Sequence, residues 1–189
     1  YDGGTFATVA EVEPKLSPRT LTMNGVSKSH AMTGWRIGYC TGPRELIGAM
    51  TKLQGQSTTN PSSISQWAAL EALDGPQDFL KDWRAKFQER RDLVVKGLTA
   101  NTGIDCLTPE GAFYVFPSIQ RLLGKTSKSG TKLNTDQDFV MALLEETGVA
   151  LVHGTAYGLP GHMRLSYAAS NRELEDAVAR VQEFAAGVR

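Results

Sequence analysis

The chain has 189 residues, in which 20 lysines and arginines balance 20 aspartates and glutamates. This neutral balance, without a cluster of basic residues, argues against nucleic acid or an anionic membrane as a partner. No apolar run is long enough to span a membrane. The only cysteines, Cys40 and Cys106, lie outside any CxxC pair, so we expect no disulfide framework. Their scarcity fits a reduced, cytosolic compartment.

The first half of the chain combines short strands with helices. Alternating apolar residues predict one strand over 20–24, and a second strand is predicted over 37–40. Pro43, Pro61 and Pro76 each precede an apolar pattern of helical period, which predicts three helices. The third pattern extends over about six turns. Its period leaves open whether it is a core helix of one domain or a bridge between two domains.

The second half contains three further strand signals and one long polar segment. Residues 107–117 predict a turn followed by a strand, and alternation predicts strands over 149–152 and 163–167. The segment 118–133 is rich in Lys, Ser and Gly, which predicts an exposed, mobile loop.

Capping residues mark two helices in this half. Thr135 is predicted to begin one helix and Gly148 to end it. Ser170 and Glu173 have the spacing of a capping box at the start of the last helix.

The order of these elements predicts an α/β fold class. We expect the edge of one α/β domain in residues 1–75, followed by a smaller α/β domain in residues 76–189.

The segment 25–38 carries the strongest chemical signal. It places Lys28 among small residues and Arg36 eight positions later, with three glycines that allow the backbone to approach a ligand closely. A lysine in such a loop is expected to lose hydration, which favours a neutral amine that attacks an aldehyde. The guanidinium of an arginine matches the geometry of a phosphate.

This segment resembles the lysine signature of the class I/II aminotransferases, fold type I enzymes that bind pyridoxal 5′-phosphate (PLP). The matching residues are Lys28, Ala31, Met32, Gly34, Arg36 and Gly38. Together with the phrases at 24–28, 32–39 and 65–69, they are most similar to bacterial aspartate aminotransferases. The resemblance implies a cytoplasmic homodimer with shared active sites, which moves an amino group from an amino acid, aspartate, to a 2-oxo acid.

The resemblance also implies roles for individual residues. Lys28 would form a Schiff base with PLP and carry the proton to and from the substrate Cα, and Arg36 would bind the phosphate of PLP. Ser27 would either donate a second hydrogen bond to that phosphate or serve as a small loop residue. Arg164, in a segment similar to the C-terminal segment of the family, would pair with the substrate α-carboxylate.

Other segments keep two interpretations. Residues 111–114 either line the substrate pocket or form a core strand, and residues 57–60 either approach the partner subunit's site or form an ordinary loop. The spacing of His30, His153 and His162 matches no metal motif, so no metal site is expected.

The chain is shorter than the aminotransferases that it resembles, and its lysine stands early. We therefore expect the C-terminal portion of a larger enzyme, with the remainder of the large PLP-binding domain in residues 1–75 and the small domain in 76–189. This portion alone is expected to be inactive, because in the family the acidic partner of the pyridine nitrogen precedes the lysine by more residues than this chain has before Lys28. The alternatives are an aromatic or prephenate aminotransferase, and a non-catalytic binding or dimerisation fragment.

Overall fold

The chain folds into two compact units in a computed structural model that describes residues 1–100 and 102–189. Residues 3–82 form the first unit, and residues 83–189 together with residues 1–2 form the second. The division lies a few residues past the boundary predicted near Gly75. No helix in the described part of the chain is long and apolar enough to cross a membrane.

The first unit contains a two-stranded antiparallel sheet and several helices. Its elements are helix α1 (Val9–Val12), a 3-10 turn (Pro14–Arg19), strands β1 (Thr22–Asn24) and β2 (Tyr39–Thr41), helices α2 (Arg44–Gly55) and α3 (Ser63–Asp74), and the start of helix α4 (Phe79–Thr99). Asn24 pairs with Tyr39 at the end of the two strands. Loop 25–38 therefore starts and ends at neighbouring positions.

Helix α4 begins at Phe79 rather than at the predicted Pro76. The reason is the side chain of Gln77, whose amide donates to the carbonyls of Ala72 and Gly75 at 2.9 and 2.8 Å. Gln77 thus satisfies carbonyl groups at the end of α3, and the chain turns before the next helix starts.

The apolar faces predicted for α2 and α3 are largely uncovered in the first unit. Leu53 on α2 is 74% exposed, and Ile64 and Trp67 on α3 are both 72% exposed. Val26, by contrast, is fully buried beside β1. The helices form where their periodicity predicts them, but this unit leaves their apolar side chains in solvent.

The second unit packs helices against a three-stranded antiparallel sheet. Its elements are the rest of α4, strands β3 (Tyr114–Val115), β4 (Val152–His153) and β5 (Met163–Ser166), and helices α5 (Asp136–Thr147) and α6 (Asn171–Ala186). The strand order is β3-β5-β4. Helices and small sheets in both units confirm the predicted α/β fold class.

The predicted caps of α5 and α6 are confirmed. The Thr135 hydroxyl accepts a hydrogen bond from the backbone N–H of Asp138, and Gly148 ends α5 in the left-handed region with φ of 75°. Ser170 and Glu173 form the predicted capping box at the start of α6.

The core of the second unit contains apolar side chains from α4, α5, α6 and the sheet. Among its fully buried members are Leu98, Phe139, Met163 and Tyr167. This core fixes the backbone of β5, the strand that carries Arg164.

The segment 118–133 is largely exposed and irregular, as predicted, but it is anchored by buried apolar side chains that the sequence did not indicate. Ile119 and Leu133 are fully buried, and Leu122 is 4% exposed. The segment also makes backbone hydrogen bonds with the C-terminal residue, because Thr126 and Arg189 exchange N–H to carbonyl bonds of 2.8 and 2.9 Å. Widely spaced apolar residues anchor a polar segment here, a pattern without the period of a helix or strand.

Candidate active site

Loop 25–38 presents Lys28 on a tight turn. The backbone N–H of His30 donates to the carbonyl of Val26 at 3.1 Å, and that of Ala31 donates to the carbonyl of Lys28 at 3.3 Å. Because Val26 is fully buried, it anchors this turn from one side.

Lys28 is exposed within the first unit. The expectation that the loop removes water from its amine is therefore wrong for this unit by itself. The physical reason is local composition, since Ser27, Ser29 and Ala31 are too small to cover a lysine side chain. Desolvation of an amine depends on what packs over it, and the spacing of residues within a loop does not determine that.

Arg36 ends the 3-10 turn Thr33–Trp35 in an unusual backbone conformation. Its φ and ψ are 51° and 50°, in the left-handed region, and Ala31 in the same loop has φ of 53°. Such conformations cost a non-glycine residue about 1–2 kcal/mol. Conformations of this kind cluster at ligand-binding sites.

The exposed guanidinium of Arg36 donates one hydrogen bond to the carbonyl of Thr33 at 2.7 Å. It makes no other hydrogen bond with the described residues. An arginine has five N–H donors, so most of them remain for an anion.

Ser27 is half-buried next to Lys28, and its hydroxyl bonds to none of the residues that the structure describes. The environment of Ser27 is compatible with both interpretations, a hydrogen-bond donor to a phosphate or a small loop residue.

Arg164 lies on the face of β5 that points away from the core. Met163, Leu165 and Tyr167 are buried, whereas Arg164 is half-buried and Ser166 is exposed. The predicted alternation is confirmed, and a short side chain is the neighbour of Arg164 on its face.

The guanidinium of Arg164 contacts two aromatic rings. Its Cζ lies 4.6 Å from the ring centre of Tyr114 and 4.5 Å from that of Tyr157. It makes no hydrogen bond or ion pair with residues 1–100 or 102–189. Sequence reasoning missed both contacts. Strand alternation could have placed Tyr114 on this face, whereas Tyr157 is the last residue of a 3-10 turn, where no such alternation exists.

The segment 111–114 was predicted to line a pocket or to form a core strand, and its residues differ in what they contact. Ala112 has φ of 60°, and its carbonyl accepts hydrogen bonds from the hydroxyls of Tyr1 and, at 3.2 Å, Tyr167. Burial and the hydrogen bond to Tyr1 raise the pKa of Tyr167, which keeps its hydroxyl a donor. The next residues diverge, since Phe113 packs against the core while Tyr114 contacts Arg164.

Two of the three histidines, His30 and His162, lie within hydrogen-bond distance of polar groups. His30 lies 2.8 Å from the hydroxyl of Ser29 through Nδ1 and 3.2 Å from Gln77 Oε1 through Nε2. His162 Nδ1 lies 3.0 Å from the carbonyl of Pro160. Within the described residues, no group of three or more His, Cys, Asp or Glu side chains could hold a metal ion.

The structure brings Ser27, Lys28 and Arg36 together in one loop of the first unit. Arg164 belongs to the second unit, with the two tyrosines that contact it.

Comparisons with known proteins match this arrangement to one family. The model of the family "Aminotransferase class I and II" matches residues 1–181. The aspartate/prephenate aminotransferase of Cereibacter sphaeroides is 56% identical over 188 residues, which are 100% of this chain and 47% of that protein. The chain thus spans about half the length of the curated relatives that it matches.

Solved structures agree with the family match. The crystal structure of the aspartate aminotransferase from Rhizobium meliloti has a TM-score of 0.96 and 54% identity, covering 100% of this chain and 47% of that one. The Thermus thermophilus aspartate aminotransferase with maleate has a TM-score of 0.84 and 40% identity, covering 96% of this chain and 44% of that one. These likenesses confirm the predicted fold type I architecture. The chain belongs to the class I and II aminotransferase family.

Proposed function

We propose that the protein carrying this chain is a PLP-dependent aminotransferase that transfers the amino group of aspartate to a 2-oxo acid. Family membership supports the reaction class, because class I and II aminotransferases generally use PLP. The names of the relatives support aspartate as the amino donor.

One observation carries this proposal. Loop 25–38 holds an exposed primary amine and an exposed guanidinium between two paired strands, on a backbone that is strained at Ala31 and Arg36. A ligand with both an aldehyde and a phosphate suits these two groups. The residues present therefore fit PLP.

Each of these residues has a distinct task in the proposed reaction. Lys28 would hold the cofactor through its amine and move the proton at the substrate Cα. Arg36 would bind the phosphate with the donors that its bond to Thr33 leaves unused, and Ser27 would either add a hydroxyl donor or serve as a small loop residue. When bound, PLP supplies an electron sink for the charge that develops at Cα.

Arg164 is proposed to bind the α-carboxylate of the substrate. Its guanidinium is half-buried and has no carboxylate partner in the described part of the chain. A bidentate pair with a carboxylate would fix the orientation of the substrate, and with it the direction of the Cα–H bond.

A second candidate, prephenate as the amino acceptor, is supported by the name of the relative from Cereibacter sphaeroides. With aspartate as the amino donor, the ratio of kcat/KM for prephenate to that for 2-oxoglutarate decides between prephenate and a simple 2-oxo acid as the acceptor. A prephenate ratio near zero removes the second candidate and leaves the first.

The covalent role of Lys28 is tested in the natural-length protein. After incubation with PLP and reduction with borohydride, peptide mapping by mass spectrometry should find a pyridoxyl group on Lys28. Lys52, in the last turn of α2, is the matched control, and we expect Lys52→Arg to leave the labelling unchanged. A folded protein without label on Lys28 would refute the proposal.

The role of Arg164 is tested with Arg164→Lys. Lysine keeps the charge but loses the planar fork, so the KM for aspartate should rise about 10- to 100-fold while PLP still binds. The matched control is Arg121→Lys, because Arg121 is 70% exposed and pairs with Asp105 at 3.2 Å on the surface. Unchanged KM in Arg164→Lys would exclude Arg164 as the carboxylate ligand.

We further propose that the protein is a cytoplasmic homodimer with shared active sites, as is general for aminotransferases. Light scattering of the natural-length protein measures its assembly. Residues 57–60 are the segment that would approach the partner subunit's site, so mixing a Lys28→Ala protomer with a protomer in which residues 57–60 are replaced by alanine should restore part of the activity. A mixture without activity would contradict sharing through this segment.

A further inference from the structure

Two tyrosines hold the guanidinium of Arg164 without using its hydrogen-bond donors. Tyr114 and Tyr157 both lie within the range at which a cation is attracted to an aromatic ring. The rings act through their π faces, so the N–H groups of Arg164 are not consumed. An arginine held in this way keeps its donors for an incoming carboxylate.

Strand register brings Tyr114 to Arg164. Tyr114 on β3 is directly opposite Ser166 on β5, and Arg164 lies two residues before Ser166 on the same face. Diagonal neighbours across antiparallel strands are within reach when one side chain is aromatic and the other is long. The contact therefore follows from the pairing of β3 with β5.

Tyr157 approaches from the other side of β5. It ends the short 3-10 turn Gly154–Tyr157, which follows β4, and β4 pairs with β5 through Val152 and Arg164. The order β3-β5-β4 thus places one tyrosine on each side of the arginine.

The turn that carries Tyr157 is held by hydrogen bonds and a ring contact, although Tyr157 itself is 48% exposed. The backbone N–H and the hydroxyl of Thr155 donate to the buried carboxylate of Asp136 at 2.7 and 2.8 Å. The ring of Phe116 also meets Tyr157 edge-on, with ring centres 5.9 Å apart. These contacts restrict the positions that the Tyr157 ring can take.

We propose that Tyr114 and Tyr157 are positioning residues that orient Arg164 for the substrate carboxylate. This inference rests on the proposed function, in which Arg164 binds that carboxylate. The two tyrosines act through Arg164 and need not touch the substrate. Their loss should weaken carboxylate binding and leave the chemical step nearly intact.

The test uses Tyr114→Leu and Tyr157→Leu in the natural-length protein. Each variant should raise the KM for aspartate and the Kd for maleate, used as a carboxylate probe, about threefold, with kcat changed less than about twofold. Tyr157→Phe keeps the ring and should recover most of the lost affinity. Leu159→Ala is the matched control, because Leu159 belongs to the same loop and is 47% exposed.

A double-mutant cycle separates this proposal from the proposed function. In an Arg164→Gln background, Tyr157→Leu should cause no further loss of maleate affinity, because the ring then has no cation to orient. If Arg164→Gln weakens binding but neither leucine variant does, the positioning role is refuted and the role of Arg164 stands. If Arg164→Gln itself leaves binding unchanged, both proposals are refuted. Tyr157→Leu alone decides the matter if Tyr114→Leu does not fold.

Discussion

Gly97→Ala should destabilise the second unit, although such a change inside a helix ordinarily stabilises. Gly97 lies in α4 where this helix meets α6. A Cβ atom built on Gly97 would overlap Cγ1 of Val178, which is 6% exposed. The carbonyl of Gly97 also accepts a hydrogen bond of 2.7 Å from the amide of Gln182, which holds the two helices at this spacing.

The expected magnitude follows from two opposing effects. Alanine is favoured over glycine within a helix by about 1 kcal/mol. Forcing an extra methyl group into a packed core costs about 1–3 kcal/mol. Val178 is β-branched and has one preferred rotamer in a helix, so it cannot easily turn aside. The two effects together give an expected net loss of up to about 2 kcal/mol in the free energy of unfolding.

Urea unfolding followed by circular dichroism measures this loss, with two comparisons. Gly48→Ala in α2 is the matched control, because nothing lies within 4 Å of a Cβ built at that position, and it should stabilise by up to about 1 kcal/mol. In a Val178→Ala background, the nearest remaining atom of residue 178 is its Cβ at 3.5 Å, an ordinary contact. Gly97→Ala should then be neutral or stabilising.

The reasoning fails if Gly97→Ala stabilises as much as Gly48→Ala does. It fails equally if Val178→Ala does not relieve the loss, because the overlap with Cγ1 would then not be its cause.

Three further predictions concern individual groups. Burial opposes ionisation of Asp136, but hydrogen bonds from Thr155 outweigh it and lower the pKa of Asp136. The ionised carboxylate therefore contributes its full stabilisation above about pH 4, and this stabilisation is lost as the pH falls further. In urea titrations, the difference in the free energy of unfolding between the wild type and Asp136→Asn should shrink below about pH 4. Burial raises the pKa of Cys106 to about 11, so alkylation by iodoacetamide at pH 8 should be about a hundredfold slower than in the urea-unfolded chain, and equal rates would contradict its burial. A Cβ on Gly154 would overlap the carbonyl of Leu159, so Gly154→Ala should shift the turn that carries Tyr157 and raise the KM for aspartate, whereas an unchanged KM would show that this turn does not influence the site.

Local sequence signals predicted the elements of the fold well. Thr135 and Ser170 begin helices where their capping patterns place them, since a cap depends only on residues within one turn. Gly148 ends α5 for the same reason. The helix expected from Pro76 starts later because a side-chain amide, that of Gln77, caps the preceding helix instead.

Features that depend on distant residues were not predictable in this way. The burial of Ile119 and Leu133 in a polar segment depends on what packs against them. The exposure of Lys28 was not predicted either, because its neighbours in sequence are too small to cover it and only residues distant in sequence could do so. For the proposed site, the residue spacing in loop 25–38 was enough to predict its chemistry. The surroundings of Arg164 depend on strand register and could not be predicted in the same way.

Two arginines in the second unit differ in how their guanidinium groups are held, one in an internal ion pair and the other, the proposed carboxylate ligand, between aromatic rings. Arg91 is 3% exposed and donates to both oxygens of Asp2 at 2.5 and 2.9 Å, and to Asp92 at 2.8 Å. The bonds from Arg91 to Asp2 lower the pKa of Asp2, and all of these bonds together occupy donors of Arg91, which leaves little capacity for a ligand.

Arg164 is held by the opposite means. If an internal carboxylate neutralised it, a substrate carboxylate would have to displace that partner and pay for breaking a charge-assisted pair. Tyr114 and Tyr157 restrict the guanidinium without competing for its N–H groups. An arginine that must receive a carboxylate is therefore better oriented by rings than by acids, and replacing Tyr157 by glutamate should weaken maleate binding more than replacing it by leucine does. Equal losses in the two variants would show that the donors of Arg164 are not what the substrate uses.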